Sequence, residues 1–377
     1  MTEYANQHFV PQFYFKNFSN GSRQISLLLN ECGRVINNAP IKGQCSKKNF
    51  YGSQEIESQF SSLEANYSKA ICAALQIAWD GSSPFFSDQE LAWLFEAILF
   101  QRARTAHQIA KTSPANMALF LRCFRDYLEH EGDDDLVRYI DDEQVELVED
   151  NWVSALRGIG IALESVPLIM DLDLYLLRNQ TDYPFVFSDA PVVFLNTYLR
   201  NVKNRGVLGL QSPGLQIFFP INPWTAIMLI DRDKYGVTFK QSMFYDIFER
   251  SDISKINALQ FYHSMNGIYF SDETYVDYVT DLWRVHRSKM KFVRSQFHLR
   301  SDWLLDGQPT ESNLYHCFEP QINYKLDLSF IQCEPIDEKQ YHFSHRNPEI
   351  VAEHKQWLDE MDELENKSQK KITSSNE

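Results

Sequence analysis

The spacing of apolar residues changes near residue 169, and this change constrains the fold more than any other feature of the sequence. Before it, apolar residues such as Phe60 and Tyr67 recur at helical spacing. After it, short runs rich in β-branched and aromatic residues predominate, such as Thr225 to Ile230. The pattern predicts an α+β protein whose helical N-terminal half packs on a strand-rich C-terminal half with a mixed or antiparallel sheet.

Individual elements follow from the same periodicities and from turn residues between them. A β-hairpin is predicted over residues 25–36, with a glycine-containing turn at its centre. Helices are predicted over residues 55–79, 88–111, 115–130, 142–166, 252–265 and 273–290. Strands are predicted over residues 173–177, 185–188, 192–195, 215–219 and 225–230.

The length of 377 residues is compatible with one large domain or with two closely packed ones. We take residues 1–348 as one domain, with a helical part at about 55–168 and a strand-rich part at about 169–335. Residues 349–366 are predicted to form a charged amphipathic helix, a candidate for self-association, and residues 367–377 a disordered tail.

Charge and cysteine usage restrict the setting in which the chain can work. A net charge of −15 argues against broad binding to nucleic acid or to an anionic membrane, but it allows a local basic groove. Six scattered cysteines without a C-x-x-C pair predict free thiols in a reducing compartment. The N-terminus lacks the features of a signal peptide, and the apolar runs are too short to span a bilayer. We therefore expect a cytoplasmic protein that makes no membrane contact.

The common catalytic motifs are absent from the sequence. There is no phosphate-binding P-loop, no G-x-S-x-G elbow, no H-E-x-x-H helix and no paired-cysteine zinc pattern. His342 and His345 are three residues apart in a loop-like stretch, and without further ligands we interpret them as surface histidines. No established reaction class follows from motifs alone.

Two charged residues fall on apolar helix faces, where they need partners. Glu64 lies at the shoulder of the first long helix's apolar stripe, and Arg102 lies in the middle of the next helix's stripe. An ion pair of Arg102 with Glu64 or Glu57 would satisfy these charges. This structural interpretation is the favoured one for Arg102.

Three further polar residues allow more than one interpretation. Asp189 ends an apolar strand, where an aspartate can be catalytic or can form a turn with its own backbone. His8 lies among aromatic residues, four positions before Gln12, so in a helix the two would share a face. Taken alone, His8 is typical of a packing residue.

The segment NQHFVPQFYFKNF, residues 6–18, resembles the start of the domain-of-unknown-function 4238 family, found mostly in bacteria. Shorter segments resemble the family in the same order, at residues 45–52, 101–105, 188–192, 219–223 and 257–260. Ala190 departs from the pattern, which has a polar residue, often Asn, at that position. The resemblance covers about residues 5–270 and implies that six polar residues occupy motif positions: His8, Gln12, Glu64, Gln101, Arg104 and Asp189.

The resemblance implies that these six residues converge on one site. In that hypothesis His8 is a general acid or base, and Glu64 and Asp189 supply carboxylates for proton transfer or for a divalent metal. Gln12, Gln101 and Arg104 would bind an anionic substrate. No cofactor is identified, although a divalent metal is compatible with the residues.

The function predicted from this site is a hydrolase, a nuclease or nucleotide hydrolase of the phage-defence or toxin type. Its partner would be a nucleic acid or a nucleotide in a local groove. Two alternatives remain: a ligand-binding or sensing module without turnover, and an interaction scaffold whose polar residues only cross-link the two halves. An open pocket at the site would favour the enzyme, and fully paired charges without a cavity would favour the scaffold.

Overall fold

A computed structural model describes residues 6–19, 22–80, 85–142, 149–238, 243–300, 304–305, 308–309 and 314–374. The fold is α+β, as predicted, with mixed and antiparallel sheets. The helices of these residues are α1 (Gln12–Phe18), α2 (Gln54–Trp79), α3 (Asp88–Ala103), α4 (Ala106–Glu131), α5 (Asp134–Asp141), α6 (Asn151–Glu164), α7 (Arg250–Tyr262), α8 (Val276–His286) and α9 (Pro348–Ser374).

The strands are mostly short, and one of the longer ones, Thr225–Ile230, is buried at every position. They are β1 (Asn6–His8), β2 (Gln24–Leu29), β3 (Val35–Pro40), β4 (Ser46–Lys48), β5 (Asp173–Asn179), β6 (Phe187–Ser188), β7 (Val193–Leu195), β8 (Gln216–Asn222), β9 (Thr225–Ile230), β10 (Gly236–Val237), β11 (Phe244–Ile247), β12 (Gly267–Phe270), β13 (Gln296–Arg300), β14 (Leu304–Leu305), β15 (Gln308–Pro309), β16 (Leu314–Phe318) and β17 (Ile331–Gln332).

Two larger sheets organise the strand-rich part. The first has the order β11-β5-β9-β8-β7, and only its β11–β5 pair is parallel. The second has the order β3-β2-β12-β6 and is antiparallel. The predicted N-terminal hairpin is therefore present as β2 and β3, and it forms one sheet with strands from the C-terminal half.

The aromatic residues of α1 lie between these two sheets. Phe15 contacts Phe187 of β6 and Tyr269 of β12, with ring centroids 5.1 and 5.0 Å apart. Tyr14 stacks on Phe219 of β8 at 5.3 Å. Because aromatic side chains bury large apolar areas, this short helix joins the sheets through the core.

Helices α2, α3 and α6 pack side by side, with α3 in the middle. The predicted limits of α2, residues 55–79, agree with the structure to within one residue. Ser53 caps this helix by accepting a hydrogen bond from the Ile56 N–H, and Ser87 forms a capping box with Glu90 at the start of α3.

The helix predicted over residues 88–111 is instead two helices. α3 ends at Ala103, and Thr105 adopts an extended conformation and accepts a hydrogen bond from the Gln108 N–H, which caps α4. α4 then continues through Pro114 to Glu131, whereas a new helix was expected at residue 115. The break places Arg104 at the junction of the two helices.

The C-terminal helix is longer than predicted. α9 continues to Ser374, where a disordered tail was expected from residue 367, and a Lys367–Glu363 ion pair of 3.1 Å supports its last turns. Residues 375–377 of the expected tail lie outside the described residues. Arg346 anchors the start of this segment through two bonds of 2.6 and 2.8 Å to Asp171. Self-association through this helix remains a prediction.

No helix in the described parts of the chain combines the length and the apolar character needed to cross a membrane.

Candidate active site

The predicted site residue Arg104 lies at the centre of a buried hydrogen-bond network. Its side chain is fully buried. Its Nη1 donates to Glu64 Oε1 at 2.5 Å, its Nη2 to the His8 carbonyl at 2.5 Å and its Nε to the Tyr51 hydroxyl at 3.1 Å. Burial opposes the charged form, but Tyr51 and Glu64 more than offset this and raise the pKa of Arg104. The guanidinium therefore ties β1, α2 and the α3–α4 junction together.

Gln101 and His8 belong to the same network through backbone contacts. Gln101 Nε2 donates to the Phe9 carbonyl at 3.0 Å. The His8 ring bonds through Nε2 to the Lys42 carbonyl at 3.1 Å, and burial lowers the pKa of His8. Arg104 thus contacts the main chain of His8, and the imidazole points to a separate partner.

The space beside this network is too small for a substrate. The cavity lined by Glu64, Gln101 and Arg104 has a volume of about 10 Å³, and most of its other lining residues are apolar. A volume of this size holds about one water molecule. The paired charges of Arg104 and Glu64 and the small cavity beside them match the geometry expected for the scaffold alternative.

Asp189 lies apart from the network and has its own partners. It is almost fully buried and accepts hydrogen bonds from Ser264 Oγ at 2.8 Å, from Met265 N at 3.0 Å, and from Asn266 N and Nδ2 at 3.1 and 2.7 Å. Burial raises the pKa of Asp189, although these four bonds favour its charged form. The carboxylate fixes the turn between α7 and β12.

The structure therefore brings four of the six predicted residues together: His8, Glu64, Gln101 and Arg104. Asp189 holds a different turn, and Gln12 is exposed on the first turn of α1. Their assignment to catalysis and substrate binding remains a prediction. Their contacts in the fold are those of a cross-linking network.

The predicted partner of Arg102 is wrong. Arg102 Nη2 contacts Glu319 Oε2 at 2.5 Å, and the same carboxylate accepts from Lys111 Nζ at 2.7 Å and from Gln108 Nε2 at 3.1 Å. Two residues along a helix turn the side chain by about 200°, so Arg102 and Arg104 point in nearly opposite directions. Glu64 and Arg102 therefore belong to separate ion-pair networks. Glu64 pairs with Arg104, and Arg102 pairs with Glu319.

A pair of buried histidines lies next to this second ion-pair cluster. The rings of His107 and His263 have centroids 4.3 Å apart, and each residue is 3% exposed. His263 Nδ1 donates to the Ala190 carbonyl at 3.0 Å. Among the residues that the structure describes, His263 Nε2 and His107 Nδ1 have no hydrogen-bond partner. Buried polar atoms of this kind are uncommon and call for an explanation.

The electrostatics of the cluster keep both imidazoles neutral. Burial, assisted by Lys111 and Arg102, lowers the pKa of His263 to about 3. Burial and the adjacent His263 and Lys111 hold the pKa of His107 well below its usual value. For Glu319, burial alone would raise the pKa, but Arg102 and Lys111 hold it well below its usual range.

His107 opens onto a pocket of about 260 Å³, which we call the histidine pocket. Lys111, Lys289 and Lys291 line it together with Tyr262, and no carboxylate of the described residues lines it. The other lining residues are Ser288, Val293, Pro320, Gln321, Ile322 and Asn323. The pocket can accept a small anionic group beside a neutral histidine.

One signal for this site was visible in the sequence, namely Arg102 on an apolar helix face. A buried guanidinium requires a partner. The partner of Arg102 is Glu319, which also pairs with Lys111 beside the two histidines. No periodicity or spacing connects His107 with His263, which meet only in the folded chain. Within the described residues, no group of three or more His, Cys, Asp or Glu side chains is placed to hold a metal ion.

Fold and site together define an α+β protein with a basic, histidine-containing pocket. The chain belongs to the family described as "Protein of unknown function (DUF4238)", whose model matches residues 6–274. This match confirms the family predicted from the opening segment. No curated protein and no solved structure matches the chain. His107 and His263 lie inside the matched residues, and Glu319 lies outside them.

Proposed function

We propose that this chain is a hydrolase of phosphate esters, with its active site in the histidine pocket and His107 as general base. The observation that carries the proposal is a buried histidine, with its pKa held well below the usual value, that lines a cavity together with three lysines. A pocket with few convergent polar groups and a perturbed histidine is the usual form of an active site.

The charges of the pocket favour an anionic substrate. Lys289 and Lys291 form no ion pair with any described residue, so their charges are available to a ligand. The chain as a whole carries a net charge of −15, so a pocket whose charged lining residues, within the described part of the chain, are all lysines is a local exception. Ammonium groups stabilise a phosphate ester and the charge that develops on it during attack.

The nitrogen of His107 that we propose as the base is Nε2. His107 Nδ1 is buried and has no hydrogen-bond partner among the described residues, although the ring of His263 lies 4.3 Å away between centroids. In the proposed reaction Nε2 is therefore the nitrogen that takes up the proton.

The proposed reaction consumes one water molecule. Its oxygen forms a bond to phosphorus while its proton passes to His107. The bond from phosphorus to the leaving oxygen breaks, and that oxygen takes the proton back from His107. The lowered pKa of His107 keeps the base unprotonated near neutral pH, and a bound phosphate anion raises this pKa toward neutrality because it offsets the lysine charges.

A binding module without turnover is the second candidate. It is favoured by the low pKa values of His107 and His263, because a weakly basic imidazole accepts a proton less readily. The same pocket would then recognise a phosphate group and release it unchanged. The two candidates differ in one observable, the turnover of a phosphate ester.

The test is hydrolysis by the full chain of p-nitrophenyl phosphate, bis-p-nitrophenyl phosphate, nucleotides, RNA and DNA, with and without Mg²⁺ or Mn²⁺. We expect His107→Gln to lower kcat by a factor of about 10²–10⁴, as loss of a general base does. The exposed His342→Gln is the matched control and should retain activity. Phosphate binding without turnover of any of these esters would support the binding module, and equal rates in His107→Gln and the wild type would remove His107 from the mechanism.

We further propose that the protein works in the cytoplasm in phage defence or as a toxin. All six cysteines are free thiols, as is usual in a reducing compartment. A hydrolase that cleaves nucleic acid would harm an infecting phage or the cell itself. A plaque assay comparing cells that express the wild type or His107→Gln tests this proposal, which fails if both resist phage equally.

A further inference from the structure

We propose that the substrate of the histidine pocket is a single-stranded polynucleotide, which lies along an adjoining basic groove. This inference rests on the proposed function, because it assigns the scissile phosphate to the pocket of His107. It adds the class of polymer and the surface that holds the rest of it.

The groove is a second depression, of about 560 Å³, directly beside the histidine pocket. Its basic residues are Arg200, Lys203, Arg205 and Lys325, and we use the name basic groove for the surface that they line. Residues 320–323 line both depressions. A chain-like ligand can therefore pass from one to the other along this shared segment.

The charge of the combined surface is opposite to that of the chain. Among the residues that the structure describes, three basic side chains line the histidine pocket, four line the basic groove, and no Asp or Glu lines either depression. The whole sequence has 51 acidic against 36 basic residues, so a surface of average composition would carry more acids than bases. Such a local reversal is the electrostatic footprint of a nucleic-acid site.

Most of these basic side chains form no ion pair with any residue that the structure describes. Lys111 contacts Glu319, but none of the other six forms an ion pair with a described residue. Positive charges that are spaced along a groove and lack protein counterions match a phosphate backbone, whose binding releases condensed cations. One isolated phosphate group would use only the lysines of the histidine pocket.

Aromatic and amide groups at the junction favour unpaired bases. Tyr324 of the basic groove is half-buried and packs on the buried Tyr262 of the histidine pocket, with ring centroids 5.0 Å apart, so Tyr324 is the ring that a base can reach. Gln321 and Asn323 lie on the segment shared by the two depressions. Single strands bind through stacking on such rings together with a basic track, whereas a duplex keeps its bases paired and presents mainly phosphates. The observations therefore favour a single strand over a duplex.

The experiment measures binding of a fluorescein-labelled 12-nucleotide single-stranded RNA, the same sequence as single-stranded DNA, and a matched duplex. Fluorescence anisotropy at several salt concentrations gives the affinity and its salt dependence for the full chain. We expect a single strand to bind at least tenfold more tightly than the duplex. The RNA and DNA arms show which sugar is preferred.

The variant that tests the groove is Lys203→Gln with Arg205→Gln, both distant in sequence from His107. Loss of two phosphate contacts should weaken single-strand binding by about tenfold and reduce the salt slope by about 1.4, since each contact to a single strand contributes about 0.7. Arg23→Gln with Lys48→Gln removes two exposed charges outside the groove and is the matched control. Circular dichroism confirms that each variant is folded.

The outcomes separate this inference from the proposed function. If the groove variant binds the single strand more weakly but hydrolyses bis-p-nitrophenyl phosphate at the wild-type rate, both the inference and the proposed function are supported. The inference is overturned if the duplex binds more tightly than the single strand, or if the groove variant and its control lose equal affinity. Neither result contradicts the proposed hydrolysis of the small ester. Single-strand binding that depends on the groove, with no hydrolysis of any ester, supports the polymer and overturns the enzyme.

Discussion

Arg104 and Glu64 form an ion pair of 2.5 Å in which the arginine side chain is completely buried and the glutamate is 22% exposed. The arginine has two further partners, the His8 carbonyl and the Tyr51 hydroxyl. Breaking a buried pair costs more than forming it gains, because the remaining charge stays desolvated. This network, which includes four of the six predicted site residues, is therefore expected to determine stability.

Arg104→Ala should lower the free energy of unfolding by about 3–5 kcal/mol, since it leaves Glu64 and two backbone or hydroxyl acceptors without a donor. The exposed Arg250–Asp182 pair gives a matched control, and Arg250→Ala should cost far less, because solvent screens an exposed pair. Urea denaturation followed by circular dichroism measures both. Equal costs for the two variants would contradict the structural role of Arg104.

Asp189 gives a test of the two interpretations that the sequence left open. The two carboxylate oxygens of Asp189 accept four hydrogen bonds. In Asp189→Asn one of these oxygens becomes an NH₂ group, which cannot accept from the donors that face it. We expect a loss of about 2–3 kcal/mol in the free energy of unfolding, the range for hydrogen bonds to a charged group. Amide hydrogen exchange should accelerate at Met265 and Asn266.

The opposite result for Asp189 is equally informative. If Asp189→Asn is as stable as the wild type but has lost hydrolytic activity, the residue is catalytic and the turn explanation fails. Ser264→Ala removes a donor from the same turn and keeps the carboxylate, so it separates loss of the turn from loss of the charge.

Local patterns in the sequence predicted much of the fold. The apolar stripe of α2 predicted where this helix begins and ends. Strands β5 to β9 lie where short apolar runs predicted strands. The break between α3 and α4 was missed, because a threonine in a helical pattern does not show by itself that its hydroxyl will cap a new helix. Capping depends on a backbone turn that tertiary packing selects.

The candidate site was less accessible to sequence reasoning. The requirement that Arg102 have a partner was visible, but Glu319 is 217 residues away and no local rule connects the two. The resemblance predicted that His8, Glu64, Gln101 and Arg104 lie together, and they do. Whether such a group is an active site or a structural cross-link depends on the burial and the hydrogen-bond partners of its side chains, which only the folded structure shows. The histidine pair belongs to the same class of non-local contact.

The histidine pair should make stability depend on pH. Between pH 6.5 and about 3 the unfolded chain binds a proton at His263 that the folded chain does not, because the pKa of His263 is lowered from 6.5 to about 3 in the fold. The free energy of unfolding therefore falls as pH decreases through this range, by about 1.4 kcal/mol per pH unit for one group. His107, whose pKa is also lowered, contributes with the same sign.

Urea denaturation between pH 7 and pH 4 measures this slope. His263→Asn keeps a donor for the Ala190 carbonyl but cannot take up the proton, so it should reduce the slope by about 1.4 kcal/mol per pH unit. His342→Asn changes an exposed histidine and serves as the control. A slope in His263→Asn that equals that of the wild type would show that the imidazole is not held neutral in the fold.

Glu319 sets the charge beside the histidine pocket, because its single carboxylate pairs with both Arg102 and Lys111. Glu319→Gln removes one negative charge within several ångströms of the pocket and frees the Lys111 ammonium. In a medium of intermediate dielectric this should tighten binding of inorganic phosphate roughly fivefold, as measured by titration calorimetry at fixed ionic strength. Glu319→Asp keeps the charge and should bind phosphate as the wild type does. Weaker phosphate binding by a folded Glu319→Gln variant would mean that the carboxylate acts by positioning Lys111, and that the net charge of the pocket does not set its affinity.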